Sequence, residues 1–267
     1  MNHPNNTMNK PMKIHSQSFP GQDYARGLVF WSIFCLSTMF NYCLLLAIVL
    51  WKKLFDPQRL SHGAHWLASF WARIIMHAAP GWRWSYSGFE NLPQEGEPPV
   101  VMVANHQSSA DIGAIYLTRT QFRWLSKDTV FRLPCLGTAM KSAGYVSIKR
   151  GDRNSSVHAL RESAKWIRLG VSMFYFPEGT RTEDGNLREF KSGAFRLAMD
   201  EGVAITPVVL CGTRDMMLKN SGIPRPAHLI LDVLPRVWSL PEETPEMFAA
   251  RVRTIIETRL RYLESIR

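Results

Sequence analysis

Val100-Val101-Met102-Val103-Ala104-Asn105-His106-Gln107-Ser108-Ser109-Ala110-Asp111 is an apolar run that breaks, without a linker, into polar and titratable residues. Such a run reads as a buried strand. Open α/β sheets carry their chemistry at the carboxyl ends of such strands. His106 and Asp111 therefore stand, five residues apart, where chemistry is expected. A second apolar run, Val171 to Phe176, ends in the same way, in Phe176-Pro177-Glu178-Gly179-Thr180-Arg181.

Outward from these two stretches, strand-like and helical segments alternate. Further strands are expected at Tyr145 to Ile148 and Ala204 to Leu210, with others at Trp82 to Ser87 and His228 to Leu234. Ser155 to Leu169 and Glu189 to Asp200 have helical spacing. The alternation predicts an α/β fold with a mostly parallel sheet flanked by helices. Near the end, Thr244 caps a helix that has Pro245 at its first position. Phe248, Val252, Ile255, Ile256, Leu260 and Leu263 form its buried stripe. The five arginines from Arg251 to Arg267 read as a solvated face, with lipid headgroups as the other possible contact.

An imidazole titrates near neutrality, so it can take a proton from a hydroxyl and pass it on within one turnover. A chain turning from strand into helix can bring the Asp111 carboxylate to the His106 ring, where it would fix the tautomer. The competing reading is a strand-end histidine beside a helix-capping aspartate. No Gly-x-Ser-x-Gly elbow supplies a nucleophile. None of the four cysteines lies in an activating motif, so the pair points to a hydroxyl on the substrate itself.

In the second motif, Pro177 ends the strand and Gly179 lets backbone approach a ligand. Thr180 adds a hydroxyl, and Arg181 offers a planar fork of donors suited to phosphate. Glu178 could hold substrate hydroxyls or anchor the arginine. A polar surface turn with a Glu-Arg pair is the plainer alternative.

Together these residues resemble the glycerolipid acyltransferases, most closely the bacterial 1-acyl-sn-glycerol-3-phosphate (lysophosphatidic acid) acyltransferases. Asn105, His106 and Asp111 match the Asn-His-x4-Asp block, and Phe176 to Arg181 match Phe-Pro-Glu-Gly-Thr-Arg residue for residue. Gly144 to Arg150 and Val203 to Val208 resemble the two weaker blocks, and Phe190 to Phe195 resemble the segment after the third. The resemblance covers roughly residues 82 to 215. Ser147, Lys149 and Ala204 depart from residues common at those points.

The resemblance implies that His106 acts as general base on the free hydroxyl of a lysophospholipid, which attacks the thioester of acyl-CoA or acyl-carrier protein. Asp111 would orient the ring. Arg150 and Arg181 would bind the acceptor's phosphate, with Lys149 nearby, and Glu178 would position the glycerol portion. Direct transfer is implied, with no covalent enzyme intermediate, no metal and no cofactor beyond the acyl co-substrate. The leading expectation is acylation of the sn-2 hydroxyl of 1-acylglycerol 3-phosphate to give phosphatidic acid. The same chemistry on another lysophospholipid or a lyso-ornithine lipid, and a non-catalytic membrane lipid-binding protein, remain alternatives.

The formal charge of +10 over 267 residues means attraction to a polyanion. No nucleic-acid-binding motif is present, so the sequence favours a membrane over nucleic acid. Leu28 to Leu50 contains no Asp, Glu, Lys, Arg or His and is long enough to cross a hydrocarbon core of about 30 Å. Trp31 and Trp51 suit the interfacial belts, and Lys52, Lys53 and Arg59 form a basic flank. After Pro57, Leu60 to Ala78 reads as an amphipathic interfacial helix. Its apolar face runs from Leu60 through Ala64, Leu67, Trp71, Ile74, Ile75 and Ala78, and His62, His65, Ser69, Arg73 and His77 lie opposite. The spacing of His62 and His65 is explained by that polar stripe rather than by a metal.

The expected organisation is therefore a disordered polar tail over 1–26, an N-terminal membrane-embedded helical segment over 27–80, and an α/β acyltransferase domain over 81–267. The segment either spans the bilayer or forms a re-entrant hairpin. With the resemblance, the location implied is the bacterial cytoplasmic (inner) membrane, with the catalytic domain on the cytoplasmic side.

Overall fold

The computed structural model describes residues 20–50, 57–182, 185–217 and 222–267. Among them, seven strands form one sheet. They are β1 (Trp82–Ser87), β2 (Val101–Ala104), β3 (Phe122–Lys127), β4 (Val146–Ile148), β5 (Ser172–Tyr175), β6 (Ile205–Cys211) and β7 (Ala227–Val233). Their order is β1-β7-β6-β2-β5-β3-β4. Every pairing is parallel except that of β6 with β7.

β2 lies inside the sheet, between β6 and β5. Val101 and Val103 face one apolar layer, and Met102 and Ala104 face the other. None of the four is exposed to solvent, which is why this strand reads as an unbroken apolar run. The layer behind Val101 and Val103 is built from helices α5 (Arg153–Arg168), α6 (Gly193–Asp200) and α7 (Pro245–Ile266). The opposite layer is built from α1 (Pro20–Leu50), α2 (Pro57–Ala78) and the short α3 (Ala110–Ile115).

α7 starts as its sequence dictates: the Thr244 side chain accepts from the Met247 amide, with Pro245 in the first turn. Its arginines are a solvated face only in part: Arg261 is exposed and pairs with Glu257 within the helix. Arg251 pairs with Glu243, Arg259 with Asp232 and Arg267 with Asp215, and Arg253 reaches the Leu187 and Arg188 carbonyls. Most of these partners lie outside the helix, so the arginines tie it to the rest of the domain.

α1 begins at Pro20, within the segment expected to be a polar tail; the rest of that tail, residues 1–19, lies outside the described residues, as do Trp51, Lys52 and Lys53. α1 is long and apolar enough to cross a membrane. It packs antiparallel on α2, as the pairs Asn41–Leu67, Thr38–Trp71 and Phe34–Trp71 require. Asn41, the one strongly polar side chain of the apolar run, donates to the Leu67 carbonyl at 3.0 Å. Trp31, expected in an interfacial belt, donates to the Gly222 carbonyl.

α2 corrects the expectation of a purely interfacial helix. Ala72, Ile75 and Met76 belong to the same core as the sheet. Of the expected polar stripe, His65 and Ser69 are buried too. His65 bonds the Tyr145 hydroxyl at 3.0 Å and the Thr120 carbonyl at 3.1 Å, and Ser69 donates to the Tyr116 carbonyl. Polar groups with good partners can turn inward at small cost. Trp66, stacked on Phe70, and His77 face outward instead.

Candidate active site

β2 ends at Ala104, and Asn105 continues its ladder with a side chain. The Asn105 amide donates to the Leu210 carbonyl at 2.8 Å and accepts from the Leu210 amide at 2.8 Å. The backbone is thus released to turn, and His106 leaves the sheet at its carboxyl edge.

Asp111, in the first turn of α3, is fully buried. Its Oδ2 accepts from the Gln107 amide at 2.6 Å, the Ser108 amide at 2.7 Å and His106 Nδ1 at 2.9 Å. A carboxylate only accepts, so Nδ1 carries the proton and Nε2 of the neutral ring keeps its lone pair. The aspartate is therefore both an organiser of the turn and a partner of the ring; the two readings of the sequence coincide. The His106 side chain remains 13% exposed, enough for one ring edge to meet a ligand. One face of the ring lies on Phe176, with centroids 4.0 Å apart and planes 13° from parallel.

Phe176 follows β5, the neighbour of β2, so the second motif arrives beside the first. Glu178 is buried. Its Oε1 accepts from the His106 amide at 2.7 Å and its Oε2 from the Arg188 amide at 3.0 Å. The Thr182 amide donates to the His106 carbonyl. Both Glu178 oxygens thus hold backbone, a task that the sequence reading did not foresee. Burial pushes its carboxyl above the ordinary range, opposed by these two amides.

Gly179 has φ +71°, and a Cβ there would meet the end of the Lys191 side chain at 3.0 Å. Lys191, whose amide donates to the Pro177 carbonyl, adds a cation that the sequence reading did not single out, though it lies in the Phe190 to Phe195 segment. Thr180 is exposed beside it. Arg181 reaches back to the first motif, donating to Ser109 Oγ at 2.6 Å.

Lys149 and Arg150 are not brought into this cluster. They follow β4, at the same sheet edge but separated from β2 by β5 and β3, or about 14 Å at the usual strand spacing. Both are exposed, and Lys149 Nζ lies 3.9 Å from Asp152. Among the described residues, no three His, Cys, Asp or Glu side chains gather as a metal site requires.

A mostly parallel α/β sheet thus brings a His-Asp pair and an Arg-bearing turn together on adjacent strand ends. The Acyltransferase family model matches residues 83–211 of this chain. The chain is 38% identical over 196 residues to the chloroplastic 1-acyl-sn-glycerol-3-phosphate acyltransferase LPAT1 of Arabidopsis thaliana, covering 73% of this chain and 54% of that protein. It is 32% identical over 155 residues to the 1-acyl-sn-glycerol-3-phosphate acyltransferase of Borreliella burgdorferi, covering 55% of this chain and 61% of that protein. The chain thus spans little more than half the length of these relatives. Its fold matches that of the 1-acyl-sn-glycerophosphate acyltransferase PlsC from Thermotoga maritima, with a TM-score of 0.75 and 22% identity over 91% of this chain and 96% of that one.

Proposed function

We propose that this protein transfers a fatty acyl group from an acyl thioester to the sn-2 hydroxyl of 1-acylglycerol 3-phosphate, giving phosphatidic acid. One observation carries the reading: a solvent-accessible imidazole, fixed through Nδ1 by buried Asp111, opens beside a turn that carries Arg181. The kinship with acyltransferases named for that acceptor supports the choice of substrate.

In this mechanism the acceptor hydroxyl gives its proton to His106 Nε2 while its oxygen bonds to the thioester carbonyl carbon. The tetrahedral intermediate collapses as the carbon–sulfur bond breaks. The imidazolium returns the proton to the departing thiolate. Asp111 holds Nδ1–H and stabilises the transient charge. Arg181, which reaches Ser109 of the first motif, anchors the acceptor phosphate, and Arg150 with Lys149 adds positive field along the same sheet edge. The acyl donor, acyl-CoA or acyl-carrier protein, is a co-substrate; no metal or cofactor takes part. α1 and its partner α2 seat the protein in the bilayer, with the site on the cytoplasmic face of the bacterial inner membrane, where both substrates meet.

The test offers purified protein a panel of lyso-acceptors with labelled acyl thioester. Turnover of 1-acylglycerol 3-phosphate is expected. Turnover of another lysolipid instead would sink the choice of acceptor, and lipid binding without turnover would sink catalysis.

A further inference from the structure

Beneath the His106–Phe176 stack lies a second aromatic contact that neither motif includes. Trp124 of β3 stacks on Phe176 with centroids 5.4 Å apart and planes 25° from parallel. Trp124 is buried and is itself held at its far end. Its indole Nε1 lies 2.9 Å from the Tyr116 hydroxyl, which lies 2.7 Å from the Tyr145 hydroxyl, which lies 3.0 Å from His65 Nδ1. His65 Nε2 then meets the Thr120 carbonyl at 3.1 Å.

The two ends of this chain set its direction. An indole N–H can only donate, and a peptide carbonyl can only accept. Trp124 therefore donates to Tyr116, Tyr116 to Tyr145, Tyr145 to His65 Nδ1, and His65 through Nε2–H to Thr120. No other arrangement of one proton per group satisfies all the contacts. Chains of this kind strengthen one another and fix side chains that packing alone leaves free to shift.

We propose that Trp124 is a positioning residue for His106: held by this one-way chain, it backs Phe176, which sets the plane of the imidazole and hence the direction of Nε2. The inference rests on the reading of His106 as general base. Asp111 fixes one point of the ring through Nδ1; a ring held at one point can still swing about that bond. The aromatic stack removes that remaining freedom. Near-attack geometry is sensitive to such freedom, and a displacement on the order of 1 Å can cost about a hundredfold in rate.

The test is a double-mutant cycle on the full-length protein in detergent or vesicles, with kcat and both KM values measured over pH. Trp124→Leu is expected to lower kcat about tenfold or more while both KM values change less than about threefold. Trp124→Phe, which keeps a ring against Phe176, recovers most of the loss. Tyr116→Phe, which removes the acceptor for the indole, shows a smaller loss of the same kind. In a His106→Ala background, Trp124→Leu changes the residual rate by less than about twofold, because it acts only through the imidazole. The idea is overturned if Trp124→Leu and Tyr116→Phe both leave kcat intact, or if the loss persists undiminished without His106. Should Trp124→Leu fail to fold, Tyr116→Phe decides through kcat and the pH profile: an unchanged kcat and acid limb there refutes the role. An active His106→Ala enzyme would instead refute the general-base reading, whatever Trp124 does.

Discussion

The Glu178 carboxylate and the His106 backbone amide meet at 2.7 Å across 72 residues of sequence, joining the two motifs at the point where the chain turns out of the sheet. The second oxygen holds Arg188 in the same way. The carboxylate of the Phe-Pro-Glu-Gly-Thr-Arg motif therefore fixes where the imidazole begins, while the arginine three residues further on is left to face a ligand.

Glu178→Gln should then weaken both fold and rate. The amide group can accept one backbone N–H but presents its own N–H₂ to the other, leaving a buried donor without a partner. Such a loss costs about 1–3 kcal/mol. A lowered melting temperature together with a lower kcat is expected from thermal unfolding and steady-state assays. A variant with wild-type stability and a raised acceptor KM alone would mean that Glu178 touches substrate after all.

Asp111→Asn separates orientation from folding. The amide oxygen can still accept the Gln107 and Ser108 amides, so the turn should persist. The negative charge opposite the imidazolium is lost, and the ring is free to take the other tautomer. By analogy with Ser-His-Asp enzymes, kcat should fall by about two to four orders of magnitude. Circular dichroism should be unchanged. Retention of more than a tenth of the wild-type kcat would speak against this role.

Arg181→Lys keeps the charge and removes the planar fork that now reaches Ser109. A rise of about tenfold in the KM for the phosphate-bearing acceptor is expected, with the thioester KM nearly unchanged. Arg150→Lys, three strands from His106 in the sheet, should have a weaker effect. The reverse ranking would move the phosphate site toward β4.

Much of this arrangement is visible in the sequence, and the gaps have physical causes. β2, β5 and β6 announce themselves because both of their faces are buried. β3 does not, because Arg123 interrupts the pattern. That arginine is fully buried, donates to the Phe122 carbonyl and Ser61, and lies over the Trp166 ring. Ser61 and Trp166 come from α2 and α5, which no local window contains. The short helices α3 and α4 (Leu136–Ser142) have too few turns for a periodic signal. The antiparallel direction of β7 leaves no mark in its own residues. His106, Asp111 and Arg181 were legible because their chemistry is in their side chains. The task of Glu178 was hidden because its partners are backbone amides, which every residue has, and Trp124 lies on β3, the strand whose pattern Arg123 conceals.

His65 ties stability to acidity. Burial, and then the nearby Arg123 charge, bring its pKa down to about 3, against about 6.5 in an unfolded chain. The folded state therefore favours the neutral ring. Its contribution is complete above about pH 6.5 and is lost progressively as pH falls from there toward 3. Protonation would also set a second donor against the Tyr145 hydroxyl, and reversing the chain would leave the Tyr116 hydroxyl proton without an acceptor within it. His65→Gln, which cannot titrate, should show a shallower loss of melting temperature between pH 6.5 and 4.5 than the wild type. Parallel curves would exclude His65 as a source of acid sensitivity.

Asn105 stands in for a peptide unit, and that substitution bears on how the molecule ages. Asparagine side chains are lost in solution when the amide nitrogen of the next residue attacks the side-chain carbonyl and closes a succinimide ring. Here the attacking nitrogen would be that of His106, already committed to Glu178, and the carbonyl under attack is pinned to Leu210. Hydrolysis to aspartate would set a carboxylate oxygen against the Leu210 carbonyl, like against like, and unfasten the strand end from which the imidazole projects. The contacts that aim the ring also shield its most perishable neighbour.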